Sequence, residues 1–376
     1  MICEKNKCTG CFACYNICPK KAIKMVENEF GYIYPEIDKK KCIECNMCKK
    51  VCPSINNVIF NYPIHTFAMI AKNNNTRKES SSGGAATIFS ETIIKSGGVV
   101  YGCTYTKGCH INHIRVDNLN DLELLKGSKY VHSYVLDTFS KVKEDLIQKK
   151  KVLYIGTPCQ IAGLKNFIGN KEYSKYLNTI DLVCHGVPSQ KYLHENLIDA
   201  DNTIVSFRTE KGYVLRETKD DNIISEVDSR DSLYYRAFFE ALIFRENCYT
   251  CQYAKQERCS DITLGDFWGL GDDSKFSKTK NEGVSLILIN TEKGLDLLNK
   301  SNDRMELEER TIQEAAQKNG QLNSPKSKSD KYEIFQKQYL KKGFIKAYKN
   351  INRFGLFKNK LRKIKILDSI YKKIKK

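Results

Sequence analysis

Two cysteine strings open the chain, and their spacing already specifies a chemistry. The first reads Cys8-Thr-Gly-Cys11-Phe-Ala-Cys14-Tyr-Asn-Ile-Cys18-Pro19, and the second Cys42-Ile-Glu-Cys45-Asn-Met-Cys48-Lys-Lys-Val-Cys52-Pro53. Both are CxxCxxCxxxCP, repeated at a period of 34 residues. Two-residue spacing lets three thiolates of one tight loop reach three irons of a cubane, while the fourth Cys, before its proline, points to the other cluster of an interlocked pair. This assigns Cys8, Cys11, Cys14 and Cys52 to one [4Fe–4S] cluster, and Cys42, Cys45, Cys48 and Cys18 to a second. Gly10 lets the first loop close around the sulfur cage without a Cβ. Structural zinc is the rival for four thiolates, but a zinc ribbon pairs CxxC knuckles instead of spacing three cysteines evenly ahead of a fourth. The stretch Phe30-Gly31-Tyr32-Ile33-Tyr34-Pro35 reads as the hairpin joining the halves.

Three further places could do chemistry. Glu79-Ser80-Ser81-Ser82-Gly83-Gly84-Ala85-Ala86-Thr87 is a small-residue loop opening a helix, where free N–H groups and the helix dipole can cradle phosphate; an ordinary Ser-capped helix is the competing reading. Ile155-Gly156-Thr157-Pro158-Cys159-Gln160 lies where a strand ends and a helix begins, and Cys184-His185-Gly186-Val187-Pro188 follows another strand in the same way. Ligands bind at such crevices of α/β sheets, so Gly156, Thr157, Cys184 and His185 are candidates, although buried Cys and structural His are common. The third place is Cys248-Tyr-Thr-Cys251, continuing to Cys259 and Asp261-Ile-Thr-Leu-Gly265-Asp266-Phe267-Trp268-Gly269. Its three cysteines, Cys248, Cys251 and Cys259, need one more thiolate for a cubane, and Cys159 and Cys184 are the candidates. The single Trp is placed to pack beside a flat cofactor.

The elements that must position these residues follow from the apolar pattern. Past residue 60, strand signals at 66–71, 99–103, 151–155, 179–183 and 285–289 alternate with helical stretches at 85–96, 135–150 and 294–299. That alternation argues for an α/β body with a largely parallel or mixed sheet. The expected organisation is an α+β ferredoxin-like domain with two [4Fe–4S] clusters at 1–60, the α/β domain at 61–318, a polar linker at 319–330 and a basic helical tail at 331–376.

The chain has 376 residues and a net charge of +18. Residues 331–376 hold sixteen Lys and Arg against two acids, so all but four of those net charges sit in the tail. A nucleic-acid-binding domain spreads its basic residues over a folded face, and no nucleic-acid partner is expected. In the tail, Phe357, Leu361, Ile364, Leu367, Tyr371 and Ile374 make a helical stripe opposite a basic face. It suits either an anionic membrane surface or packing on its own domain. With 28% charged residues and no apolar run near the ~20 residues of a membrane span, the chain is neither disordered nor membrane-spanning. The N-terminus shows no signal-peptide pattern, so a cytoplasmic location is expected, at most peripheral to the inner face of the membrane. Sixteen cysteines there are metal ligands or redox thiols rather than disulfides.

Together the segments SSSGGAAT at 80–87, KGSKYVHS at 126–133, GTPCQIAGLK at 156–165, IDLVCHGVPS at 180–189 and CYTCQYAKQERCSDITLGDFWG at 248–269 resemble the coenzyme F420 hydrogenase/dehydrogenase beta-subunit family, over roughly residues 1–300. The resemblance implies FAD at Ser81, Ser82, Gly83, Gly84 and Thr87. It also implies a third [4Fe–4S] cluster at Cys248, Cys251 and Cys259, with Cys159 favoured over Cys184 as the fourth ligand. F420 is implied as a co-substrate, and relatives acting beside surface-polysaccharide biosynthesis suggest a small-molecule or sugar-linked substrate.

The expected activity is an iron–sulfur flavoprotein oxidoreductase. A ferredoxin or another redox donor or acceptor exchanges electrons at the N-terminal clusters, the body cluster relays them, and FAD exchanges a hydride with F420 or an organic substrate near Cys159, Cys184 and His185. Either direction of flow fits the sequence. The alternatives are a non-catalytic electron-transfer subunit of a larger complex and, more remotely, a nucleic-acid protein with structural clusters. Cys3, Cys103 and Cys109 have no assigned role.

Overall fold

The computed structural model describes residues 2–353. The two cysteine strings fold alike. The first passes through left-handed Gly10 (φ 65°) and Phe12 (φ 62°), the second through Glu44 (φ 53°) and Asn46 (φ 56°), and each then enters a short helix, Ala13–Ile17 or Met47–Lys50. These positions are also 34 residues apart, so the sequence repeat is a backbone repeat. Left-handed residues in such loops turn successive N–H groups inward, forming the concave nest common to anion and iron–sulfur sites.

Between the loops, β1 (Ile23–Glu27) pairs antiparallel with β2 (Ile33–Ile37), Met25 opposite Pro35. The turn is organised by Asn28, whose Oδ1 accepts from Phe30 N at 3.1 Å and Tyr32 N at 2.9 Å. This is the hairpin expected at 30–35.

The body adds β3 (His65–Ala71), β4 (Val99–Thr106), β5 (His110–Val116), β6 (Val152–Gly156), β7 (Leu177–Leu182), β8 (Ile204–Thr209), β9 (Gly212–Lys219), β10 (Asn222–Asp228), β11 (Ile262–Asp266), β12 (Ser285–Ile289) and β13 (Met305–Arg310). Eight of them form one mixed sheet in the order β13-β3-β12-β11-β7-β6-β4-β5, while β8, β9 and β10 form a separate antiparallel sheet. The middle strands β4, β6, β7 and β11 run parallel, and the strands at both flanks are antiparallel. Helices Ala85–Lys95, Thr138–Ile147, Pro158–Ile168 and Glu292–Asn299 pack on this sheet. Strand β12 is buried at every position, the continuous apolar run of an interior strand. The parallel strands all point their carboxyl ends the same way, and that end carries the site.

The helix Tyr332–Ile351, kinked at Gly343 (φ 72°), packs on the body instead of standing apart from it. Tyr332, Phe335, Tyr339, Phe344 and Tyr348 are buried in a core shared with Tyr192, Leu242 and Phe244. Tyr192 OH donates to Gln336 Oε1 at 2.8 Å, and Tyr339 OH donates to Glu195 Oε1 at 2.6 Å. Over this half of the basic segment, the packing reading holds. The stripe from Phe357 to Ile374 lies outside the described residues. The polar stretch 319–330 is also packed, with Asn319, Gln321 and Leu322 buried. No helix of the described residues is long and apolar enough to cross a membrane.

Candidate functional site

The loop and turn geometry brings Cys8, Cys11, Cys14 and Cys52 to the wall of one small cavity, together with Cys3. The Cys3 thiol hydrogen-bonds Cys8 and Cys52 and pulls Cys8 down to about 6 and Cys52 to about 7. On the other side of the hairpin, Cys18 and Cys45 stand close enough to Cys48 for their charges to act on it, and Cys45 is exposed. Cys42, the remaining residue of that set, is half-buried.

The N-terminal segment is seated on the body through specific contacts. Ser189 Oγ donates to Phe30 O at 2.6 Å and Tyr32 OH donates to Ile243 O at 2.8 Å. Gly163 faces Cys11 so closely that an added Cβ would stand 2.8 Å from its sulfur.

A second thiol cavity lies where the body meets this segment. Cys159, Cys184, Cys248 and Cys251 line it, and Gln321, Pro325 and Lys326 from the stretch 319–330 form another part of its wall. Thr157 caps the helix Pro158–Ile168 in a reciprocal capping box with Gln160, which holds Cys159 in the first turn with its Sγ 3.3 Å from Thr157 Oγ1. Burial pushes Cys159 up to about 12 and Cys184 to about 11. A metal centre there must displace those protons.

Cys259 does not line this cavity. It is 1% exposed, with its Sγ 3.5 Å from Pro158 O. Its neighbours explain the surrounding motif structurally. Arg258, also buried, pairs with Asp181 at 3.1 Å and donates to Tyr253 O at 2.8 Å. Asp261 accepts from Thr179 N at 2.8 Å and Thr179 Oγ1 at 2.7 Å. The segment Asp261–Asp266 is largely β11, paired to β7.

At the carboxyl ends of the parallel strands opens a cavity of about 350 Å³, within the usual size of small-molecule pockets. Ser81, Ser82, Gly84 and Thr87 from the small-residue loop line it, as do Gly156, Thr157, Cys184 and His185. Gly83 does not; an added Cβ there would meet Met69 O at 2.1 Å, so that glycine serves the contact with β3. Gly84 (φ 97°) caps the helix Ala85–Lys95, whose first turn faces the cavity. His185 is exposed to the cavity yet surrounded by protein, and desolvation lowers its pKa. Trp268 is 50% exposed at the wall, stacked on Tyr213 with centroids 6.1 Å apart. Cys103 also lines this cavity, whereas Cys109 is buried in the core beside the Tyr332–Ile351 helix.

Two further side chains of this wall, His113 and Arg208, carry no local sequence signal. Ser82 Oγ, His113 Nδ1 and Arg208 Nε are buried polar atoms without partners, all on residues of this wall. His113 Nε2 lies 3.1 Å from Ile155 O, which can only accept, so its proton is on Nε2 and Nδ1 presents a lone pair. Burial holds His113 down to about 4. Arg208 pairs with Asp266 at 2.7 Å and lies over Tyr213, 4.5 Å from the ring centroid. Lys129 donates to Lys126 O at 2.7 Å and Leu125 O at 3.1 Å and lies over the Tyr105 ring, 5.7 Å from its centroid.

The three cavities touch in series. Thr9 lines both thiol cavities. Thr157, Cys184, His185, Gly186 and Val187 line both the body thiol cavity and the large one.

Two segments of the chain match known families. Residues 7–56 match the 4Fe-4S dicluster domain. Residues 149–315 match the carboxy-terminal region of the coenzyme F420 hydrogenase/dehydrogenase beta subunit. No curated protein matches the chain. Among solved structures, the chain is similar to one from the F420-reducing [NiFe] hydrogenase complex of Methanosarcina barkeri, a xenon derivative. That match has 16% identity, covers 78% of this chain and 92% of that chain, and has a TM-score of 0.47. The chain thus joins a segment that matches the 4Fe-4S dicluster domain to a body that, over residues 149–315, matches the carboxy-terminal region of the coenzyme F420 hydrogenase/dehydrogenase beta subunit.

Proposed function

We propose that the chain is an iron–sulfur flavoprotein oxidoreductase that passes electrons between its dicluster domain and an organic two-electron carrier at the large cavity. The observation that carries this reading is the shared wall: Thr9 lines both thiol cavities, and Thr157 with the Cys184–Val187 turn lines both the second and the large cavity. Iron–sulfur clusters supply one-electron steps, and a flavin supplies the junction to two-electron chemistry.

The thiols that fit a third [4Fe–4S] cluster are Cys159, Cys184, Cys248 and Cys251. They ring a cavity, which suits a cage. This set replaces Cys259 by Cys184.

The large cavity fits FAD by its chemistry. The first turn of the helix Ala85–Lys95, the Lys129 side chain in the wall and the unpartnered Ser82 Oγ suit a phosphate-bearing cofactor. Ile155, Val183 and Leu264 supply apolar wall, and His113 Nδ1 offers an acceptor. His185, neutral at pH 7, faces both cavities and can take up a proton where substrate meets the wall. Arg208, Tyr213 and Trp268 supply a cationic and aromatic face for a planar or sugar-linked substrate, F420 among the candidates.

Anaerobic purification followed by iron and flavin analysis tests the cofactor set; about twelve irons and one flavin per chain are expected. The same preparation is then mixed with F420 and watched for loss of the F420 absorbance on reduction. Turnover by the isolated chain supports a self-contained enzyme. Full cofactor content without turnover of F420 or of any organic acceptor would make it an electron-transfer subunit, and absence of flavin would overturn the proposal.

A further inference from the structure

Arg245 is the most unusual charge in the molecule. Its side chain is fully buried, at 0% exposure. Nε donates to Cys8 O at 2.7 Å and Nη2 donates to Ile33 O at 2.8 Å. Nη1 has no partner. Among the described residues no carboxylate comes within ion-pair distance. The guanidinium instead lies over Tyr34, 4.3 Å from the ring centroid. Its backbone is fixed on the body side: Arg245 N donates to Val187 O at 3.0 Å, and Cys248 N donates to Arg245 O at 2.9 Å.

A buried guanidinium without a carboxylate partner is costly unless an opposite charge lies near. The side chain runs from the turn that carries Cys248 to the loop that carries Cys8, so it spans the boundary between the two thiol cavities. Its Nε hydrogen-bonds the Cys8 backbone on one side, and its own backbone is tied to Cys248 on the other. The neighbouring His132 adds no charge, because burial and Arg245 together hold it neutral, down to about 3. The available counter-charge is the thiolate cage on each side: four thiolates outweigh the positive charge of a [4Fe–4S] core, and reduction adds one further negative charge.

We propose that Arg245 is the shared counter-ion of two clusters, the one held by Cys8, Cys11, Cys14 and Cys52 and the one held by Cys159, Cys184, Cys248 and Cys251, and that it raises the reduction potential of both. A fixed cation stabilises the more negative reduced state of each cluster, and in a dry interior that stabilisation is weakly screened. An electron passing between the two cavities then stays beside the same positive charge throughout. The cluster of Cys18, Cys42, Cys45 and Cys48 lies outside this arrangement and serves as an internal control. The body half of the inference rests on the third-cluster assignment above.

The test is an EPR-monitored redox titration of the anaerobically purified full chain, with iron counted in every sample. Arg245→Met is expected to shift two of three cluster potentials downward and leave the third in place. Arg245→Lys, which keeps the charge, is expected to restore most of the shift. Should Arg245→Met lose iron, Tyr34→Glu compared with Tyr34→Gln answers the same question, because it neutralises the guanidinium without removing it; the Glu variant is expected to lower the same two potentials. Unchanged potentials in an iron-replete Arg245→Met, equal shifts in the Lys and Met variants, or identical Tyr34 variants would each overturn the proposal. A wild-type iron count of about eight, not twelve, would instead remove the third-cluster assignment, and the Cys8-side shift would still be readable.

Discussion

Cys184 and Cys259 differ in what surrounds their sulfurs. Cys184 lines the body thiol cavity with Cys159, Cys248 and Cys251, whereas Cys259 packs against Pro158 O and the Asp181–Arg258 pair. Cys184→Ala is therefore expected to cost the full chain about four irons, while Cys259→Ala keeps them and loses packing alone; iron analysis of the two variants checks this. Chain order hides the distinction. Cys259 sits in the same dense string as Cys248 and Cys251, and Cys184 is remote in sequence, brought in by the end of β7. The dicluster segment was legible because its cysteines lie in one short repeat, whose left-handed positions recur at the same period. His113, Arg208 and Arg245 were not, because an isolated His or Arg reads as surface until tertiary structure buries it.

The helix Pro158–Ile168 couples the two halves of the molecule. Its capped N-terminus presents Cys159 to the body cavity, and Gly163, one turn on, abuts Cys11 of the dicluster domain. Gly163→Ala places a Cβ against that sulfur, and overpacking of this kind costs about 1–3 kcal/mol. The expected outcome is a lower unfolding midpoint and selective weakening of the cluster at Cys8, Cys11, Cys14 and Cys52, read by its EPR signal, with the Cys18 cluster retained.

At this scale the sequence resolved the apolar strands and the Ala85–Lys95 helix well. It gave little sign of β8–β10, where exposed positions and charges such as Arg216 and Glu226 break the alternation. The Tyr332–Ile351 helix was expected as part of a basic helical tail, and its lysines masked only the aromatic residues that pack it on the body.

For the molecule as a whole, buried neutral imidazoles set the acid limit. His113 and His132 are held down to about 4 and about 3, first by burial. Each unfolded imidazole takes up a proton below its ordinary value of about 6.5 while the folded one does not, so their stabilisation is full above pH 6.5 and is lost as pH falls toward the folded values. At pH 5 this amounts to about 2 kcal/mol for His113. Unfolding midpoints measured from pH 7 to pH 5 are expected to fall, and His113→Asn is expected to flatten that slope.

The same whole-molecule view carries the central claim, that the dicluster domain and the large cavity communicate through the thiol cavity between them. Cys251 lines only that middle cavity. The decisive measurement is the rate at which the flavin band bleaches when a reduced ferredoxin supplies electrons anaerobically, compared between the wild type and Cys251→Ala carrying both N-terminal clusters and flavin. Bleaching slowed by at least about 100-fold in the variant is the expected result, and equal rates in the two proteins would contradict the account.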